Sequence, residues 1–171
     1  MKAEICSLPG VRRITLGVQE DFRGTYLCTY DKAAYAEQGI TVDFVEDDYS
    51  TSGRHVLRGI HCDSKAWKLI TCPHGRIYVV IVNCESDSPH FGKWVSFILT
   101  ESNGLQILVP PRHGVAHLVL SEKAIFLYKQ SERYDPARQQ TFRFDDKRFN
   151  IWWPVQAPLL SQRDQEGRYV Q

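Results

Sequence analysis

Apolar residues recur along this chain in short blocks, and turn-forming residues cut between the blocks at regular intervals. The longest block, Arg76–Asn83, is rich in β-branched side chains and apolar at both parities. A strand with one wet face would be polar at every second position, so this pattern predicts a strand buried on both faces. His74-Gly75 just before it marks a tight turn, and residues 67–72 form the expected partner strand. Further strand-like runs cover Trp94–Thr100, Leu105–Val109, residues 116–120 and residues 124–130. Between them stand Ser86-Asp87-Ser88-Pro89, Ser102-Asn103-Gly104, Pro110-Pro111 and Ser121-Glu122-Lys123, which suit turns. One stretch, residues 31–38, reads as a helix, with Asp31 as N-cap and Gly39 as stop. Many short strands and one helix predict an all-β antiparallel sandwich or barrel, and closure of a barrel removes exposed edges.

Length and composition narrow the class. A chain of 171 residues has the size of one domain, and residues 1–171 are expected to form it. Lys and Arg number 21 against 20 acidic residues, so no general field draws the chain to nucleic acid or an anionic membrane. Any bound anion must be held by a local cluster of cations. No apolar run approaches the ~20 residues needed to span a bilayer, and the opening MKAEICSLPGVRR lacks a signal-peptide core. Cys6, Cys28, Cys62, Cys72 and Cys84 form an odd set without a CxxC, which fits reduced thiols in a cytoplasmic protein.

Four stretches hold residues suited to chemistry. In Val56-Leu57-Arg58-Gly59-Ile60-His61, strand alternation puts Arg58 and Ile60 on one face and Leu57, Gly59 and His61 on the other. Gly59 then leaves room beside His61, and Lys68 follows at the start of the next strand. The same residues also fit a surface Arg and Lys with a satisfied histidine. In Val109-Pro110-Pro111-Arg112-His113-Gly114-Val115-Ala116-His117, the prolines and glycine set a turn that feeds His117 into a strand. Tyr128 ends a strand and Tyr134 lies in the turn beyond, where either projects into a barrel mouth or packs in a core. The tail 152–164 is too Pro-rich for a helix and too apolar for solvent, so it should pack across the barrel with Asp164 at its end.

These stretches, in order, resemble the dTDP-4-dehydrorhamnose 3,5-epimerase family. The matching residues are Asp21-Phe22-Arg23-Gly24, Leu57-Arg58-Gly59-Ile60-His61, Lys68-Leu69, Ser88-Pro89 through Gly92 to Trp94, and Pro111 through Gly114 to His117. Tyr128, Tyr134-Asp135-Pro136, Trp153-Pro154 and Leu160-Ser161 to Asp164 complete the series. The segment Cys62-Asp63-Ser64-Lys65-Ala66-Trp67 is shorter than in the rhamnose enzymes and is similar to epimerases of GDP-linked 4-keto-6-deoxyheptoses. Glu46 and Asp48 stand where the family has amides; as carboxylates they accept hydrogen bonds, which suits the amino groups of guanine or cytosine. The other reading is that both carboxylates face solvent or pair with Arg58 or Lys65.

The resemblance implies a cupin jelly-roll barrel with a few short helices and an epimerase of nucleotide-linked 4-keto-6-deoxy sugars. It implies His61 as general base, Asp164 as its orienting carboxylate, Lys68 as the enolate's cation and Tyr128 as acid on the opposite sugar face. Arg23, Arg58, His117 and Tyr134, with Glu46 and Asp48, fall at substrate-binding positions. It implies no cofactor, a homodimer whose N-terminal region reaches the neighbouring site, and a dTDP, GDP or CDP sugar as substrate. The strand with His61 continues Cys62-Asp63 with no His-x-His pair, so no metal is expected. A sugar-nucleotide ketoisomerase and a non-catalytic binding cupin are the competing expectations.

Overall fold

The computed structural model describes residues 1–170. Its N-terminal part holds β1 (Lys2–Ile5), β2 (Arg12–Thr15), β3 (Gln19–Asp21), β4 (Gly24–Tyr26) and α1 (Lys32–Glu37). The central strands are β5 (Glu46–Gly53), β6 (Leu57–Asp63), β7 (Lys68–His74), β8 (Arg76–Asn83), β9 (Trp94–Thr100), β10 (Leu105–Val109), β11 (His113–Val119) and β12 (Lys123–Gln130). A short β13 (Gln139–Thr141) and α2 (Gln162–Gln165) complete the chain. The expected helix forms where its cap demands: Asp31 Oδ1 accepts from the Ala33 and Ala34 N–H groups at 2.9 and 3.1 Å.

Two antiparallel sheets face each other, one ordered β1-β2-β10-β7-β12-β5 and the other β13-β6-β11-β8-β9. This is the cupin jelly-roll expected from the strand spacing and the resemblance. The core lies between the sheets and joins Ile70, Ile107 and Phe126 from one to Ile77, Val79, Ile81 and Val115 from the other. β8 is buried on both faces, as its sequence predicts: Ile77, Val79 and Ile81 point inward, while Tyr78, Val80 and Val82 point out beneath the C-terminal segment. Each such aliphatic side chain removed from water is worth roughly 1.5–3 kcal/mol.

Two local expectations are corrected. β7 and β8 are not hydrogen-bonded partners; β7 lies between β10 and β12, and β8 between β11 and β9. The His74-Gly75 turn instead carries the chain from one sheet to the other. A strand buried on both faces needs neighbours on both sides and a layer above and below, which a hairpin with β7 alone would not supply.

The second correction concerns β6. His61 pairs with Val115 and Arg58 with His117, so three steps along β6 match two along β11. Such a bulge resets the alternation and turns Arg58 and His61 toward the same side. Gly59 sits in it at φ +119°, and a Cβ there would lie 2.5 Å from the Val115 carbonyl oxygen and 2.6 Å from the Ala116 Cβ. The glycine is therefore demanded by the neighbouring strand and not by space for a ligand.

The tail does pack across the barrel. Trp153 is buried and its Nε1–H donates to the Phe144 carbonyl at 2.8 Å. Leu159 exchanges backbone bonds with Leu57 and His55 at 2.9 and 2.8 Å, tying the tail to the start of β6. Its end departs from the non-helical expectation, because no proline follows Pro158 and Ser161 caps α2. Among the described residues no helix is long and apolar enough to cross a membrane.

Gly59→Ala combines a positive φ with a backbone clash, so it is expected to cost well over ~1 kcal/mol in denaturant unfolding. Gly17→Ala, where an added Cβ meets nothing within 4 Å, is the near-neutral control. Equal stability of the two variants would contradict the bulge's requirement for glycine.

Candidate active site

A cavity of about 390 Å³ is lined by Asp48, Arg58, His61, Lys68, His117 and Tyr128, with Phe126, Val115 and Tyr134 among its other walls. Five strands from the two sheets, β5, β6, β7, β11 and β12, supply all of these side chains but Tyr134, which lies in the loop after β12. A larger cavity of about 620 Å³ lies against Cys62, Cys84 and Phe142, and none of the sequence-predicted site residues lines it. The chemistry is gathered in the smaller one.

His61 and Asp164, distant in sequence, meet at 2.6 Å between Nε2 and Oδ1. The imidazole is 27% exposed and the carboxylate 3%, so the ring faces the cavity from a buried anchor. The Ser161 hydroxyl donates to the other carboxylate oxygen at 2.8 Å and accepts from the Asp164 N–H at 3.2 Å. Burial alone would raise the Asp164 pKa; the His61 hydrogen bond and charge, then Ser161 and the Gly59 N–H, outweigh it and hold the carboxyl below its ordinary range. An ionised Asp164 accepts from Nε2–H, which leaves the lone pair of a neutral ring on Nδ1. That nitrogen can take a proton.

Lys68 opens β7 and stands 5.3 Å from the centre of the Tyr128 ring. Burial lowers the pKa of its ammonium, and Asp63, Cys62 and Asp48 oppose that effect. Tyr128 pairs directly with Asp48 across β12 and β5. Burial, reinforced by the Asp48 carboxylate, raises the phenol well above its ordinary value, so it remains a proton donor at neutral pH. Burial also raises the Asp48 carboxyl.

Arg58 donates from Nε to Ser52 Oγ at 2.9 Å and presents its guanidinium at the cavity mouth. His117 stacks on Phe126 at 4.0 Å between ring centres. Its Nε2 is buried and has no hydrogen-bond partner within the protein. Burial, with the charges of Arg58 and His61, lowers its pKa to about 3, so it is neutral.

Two expected binding residues, Arg23 and Glu46, do not line the cavity, and Tyr134 does. Arg23 caps the β3–β4 hairpin, is paired with Asp21 at 2.7 Å, and does not line the cavity of its own chain. Glu46 lies behind the lining residues: its Oε1 accepts from the Gln130 amide and, at 3.0 Å, from the Tyr134 N–H. Strand alternation puts Glu46 and Asp48 on one face, yet these donors hold Glu46 as a brace beneath Tyr134. Tyr134 reaches the cavity rim, half exposed, with its hydroxyl 3.5 Å from Arg163 Nη1. Sequence reading gave no role to Ser161, Ser52 or Phe126. The Ser161–Asp164 spacing, typical of a helix N-terminus, was the available signal for the first; nothing local marks the other two.

A jelly-roll cavity holding an imidazole–carboxylate pair, an ammonium and a protonated phenol, with an arginine at the mouth, defines an acid–base cupin. The model of the family described as dTDP-4-dehydrorhamnose 3,5-epimerase matches residues 5–171, and the chain belongs to that family. A Pseudomonas aeruginosa dTDP-4-dehydrorhamnose 3,5-epimerase is 36% identical over 172 residues, covering 98% of this chain and 95% of the relative. The crystal structure of a Streptomyces spheroides 4-keto-6-deoxy sugar epimerase from the novobiocin cluster superposes with TM-score 0.94 at 30% identity, covering 99% of this chain and 87% of that one. A Legionella pneumophila 3,5-epimerase in complex with dTDP-4-keto-L-rhamnose superposes with TM-score 0.93 at 30% identity, covering 98% and 92%.

The neutral His117 makes a prediction about acid stability. In the unfolded chain a histidine takes a proton near pH ~6.5. In the folded protein His117 does so only near about 3. The unfolded state therefore binds the extra proton in that window, and the stability present above pH ~6.5 is lost as pH falls toward 3. His117→Gln is expected to flatten the fall in unfolding free energy between pH ~6 and ~4 by up to ~1.4 kcal/mol per pH unit. Parallel curves for the two proteins would contradict a buried neutral His117.

Proposed function

We propose that the protein inverts carbon next to the C4 ketone of a nucleotide-linked 4-keto-6-deoxy sugar, at C3, C5 or both. The observation that carries this reading is the His61–Asp164 pair at 2.6 Å, facing one cavity with Lys68 and Tyr128. His61 Nδ1 takes the alpha proton, and the C–H electron pair moves into an enolate whose charge rests on the C4 oxygen. Asp164 stabilises the imidazolium that forms, and the Lys68 ammonium faces the enolate oxygen. Tyr128 returns a proton to carbon from the opposite face, and bulk water later restores both groups. The substrate's ketone supplies the acidity, so no cofactor enters the scheme.

Arg58 suits the diphosphate, and the unpartnered His117 Nε2 suits a sugar or phosphate oxygen. Asp48 is the carboxylate positioned to accept from a donor on the substrate. Tyr134 walls the mouth. Among the described residues no group of three or more His, Cys, Asp or Glu could hold a metal ion. Arg23 belongs to this scheme as a residue lent to a second subunit: its hairpin projects with Phe22 98% and Tyr26 66% exposed, apolar surface suited to a homodimer.

A binding cupin without activity would have no use for a buried carboxylate aimed at an imidazole beside a protonated phenol. A ketoisomerase would move the carbonyl, which NMR of the product distinguishes. The test is to incubate the protein with 4-keto-6-deoxy sugars on dTDP, GDP and CDP, chelator present, in deuterated buffer. Deuterium should enter beside the ketone on at least one of them, with inversion. No exchange on any of the three would overturn the reading. With the accepted substrate, Tyr128→Phe is expected to retain exchange through His61 but to lose most inverted product. Unimpaired inversion would show that the second proton comes from elsewhere.

A further inference from the structure

Asp63 stands outside the cavity and outside the scheme above, yet it is one of the most committed side chains in the molecule. It is 3% exposed at the end of β6, two residues beyond His61. Its Oδ1 accepts from the Lys65 and Ala66 N–H groups, each at 2.8 Å. Its Oδ2 accepts from the Gln139 amide on β13, and its backbone carbonyl accepts from the Arg112 N–H at 2.7 Å. These bonds fix residues 64–67, the connection that ends one strand and delivers Lys68 into the cavity. The far end is clamped as well: the Trp67 N–H donates to Ser131 Oγ at 3.0 Å, and its carbonyl accepts from the Ser131 N–H at 3.1 Å.

The charges around Lys68 give this connection a second consequence. The charged and titratable groups whose fields reach it are Asp63 at the end of β6, Cys62 on the same strand, Asp48 on β5 and Arg163 in α2, and the Tyr128 ring lies 5.3 Å away. Arg163 opposes the ammonium, and burial does so more strongly. Of the two carboxyls, Asp48 is itself pushed by burial toward its neutral form. Asp63 has N–H donors on both oxygens, the setting that suits a carboxylate, which can only accept.

We propose that Asp63 is the positioning residue of Lys68: it fixes the connection that aims the ammonium into the cavity and places a buried carboxylate at the root of that connection. The proposal rests on the reading of Lys68 as the enolate-facing cation. Its direct consequence, the protonation state of Lys68, is measurable apart from that reading.

Competitive acetylation of Lys68 against pH, read by mass spectrometry, gives the midpoint of its deprotonation. In Asp63→Asn the side-chain oxygen can still accept from Lys65 and Ala66, so the turn is kept while the charge goes. The midpoint is expected to fall by ~1 pH unit, and the alkaline limb of the exchange rate with it. The double substitution Asp63→Asn with Gln139→Glu keeps a hydrogen bond between the two positions and moves the carboxylate across it. It is expected to restore at least half of the shift, with thermal melts of both variants recorded. An unchanged midpoint in Asp63→Asn overturns the proposal. So does a lowered midpoint that the double substitution does not recover, since a loosened turn would then be the cause. If the midpoints move as stated while the wild-type protein exchanges no alpha proton, the enolate role of Lys68 fails and its pairing with Asp63 stands.

Discussion

The hydrogen bond between His61 and Asp164 is the constraint around which the rest of the molecule is arranged. A histidine becomes a directed base only when one ring nitrogen is held and the other is left free. Holding it takes a carboxylate out of water, which is costly unless its oxygens are met by donors. The C-terminal segment meets that cost. Trp153 and Leu159 lay the tail along the outer face and the start of β6. Ser161 then caps a single helical turn whose Asp164 lands against His61.

The jelly-roll supplies what a single sheet could not. Two facing layers bring side chains from five strands into one cavity of about 390 Å³, while the deeper core between them stays apolar. The bulge in β6 puts Arg58 and His61 on the same side, so a guanidinium and an imidazole reach one cavity from one short strand. Burial then does opposite things to neighbouring groups. It keeps His117 neutral and Tyr128 protonated, and it works against the charge of Lys68, which carboxylates offset. One low-dielectric cavity thus acts in different directions on an imidazole, a phenol and an ammonium.

Much of this was legible in the residues themselves. β8, β9 and β10 end where the hydrophobic pattern ends, and Asp31 caps α1 as read. Strand pairing was less legible, because the His74-Gly75 turn looks the same whether it joins neighbours or crosses between sheets. Parity failed at Gly59, since a bulge follows from what the adjacent strand needs and leaves only a glycine as a trace. The short N-terminal strands, β5 and β13 carry too little apolar periodicity to be seen. The site was legible through the ordered resemblance, and local pattern could not have joined His61 to Asp164. Arg23 and Glu46 show its limit, for a matched position says nothing about whether a side chain lines the cavity of its own chain.

The central claim is that His61, held by Asp164, removes the proton beside the substrate's ketone. Deuterium wash-in from solvent into an accepted 4-keto-6-deoxy sugar nucleotide tests it most directly, with wild type and His61→Ala compared and nucleoside diphosphate binding measured on both. Exchange should fall by at least ~10²-fold in the variant, the usual worth of a positioned base, with binding nearly unchanged. Exchange at the wild-type rate in correctly folded His61→Ala protein would contradict the account.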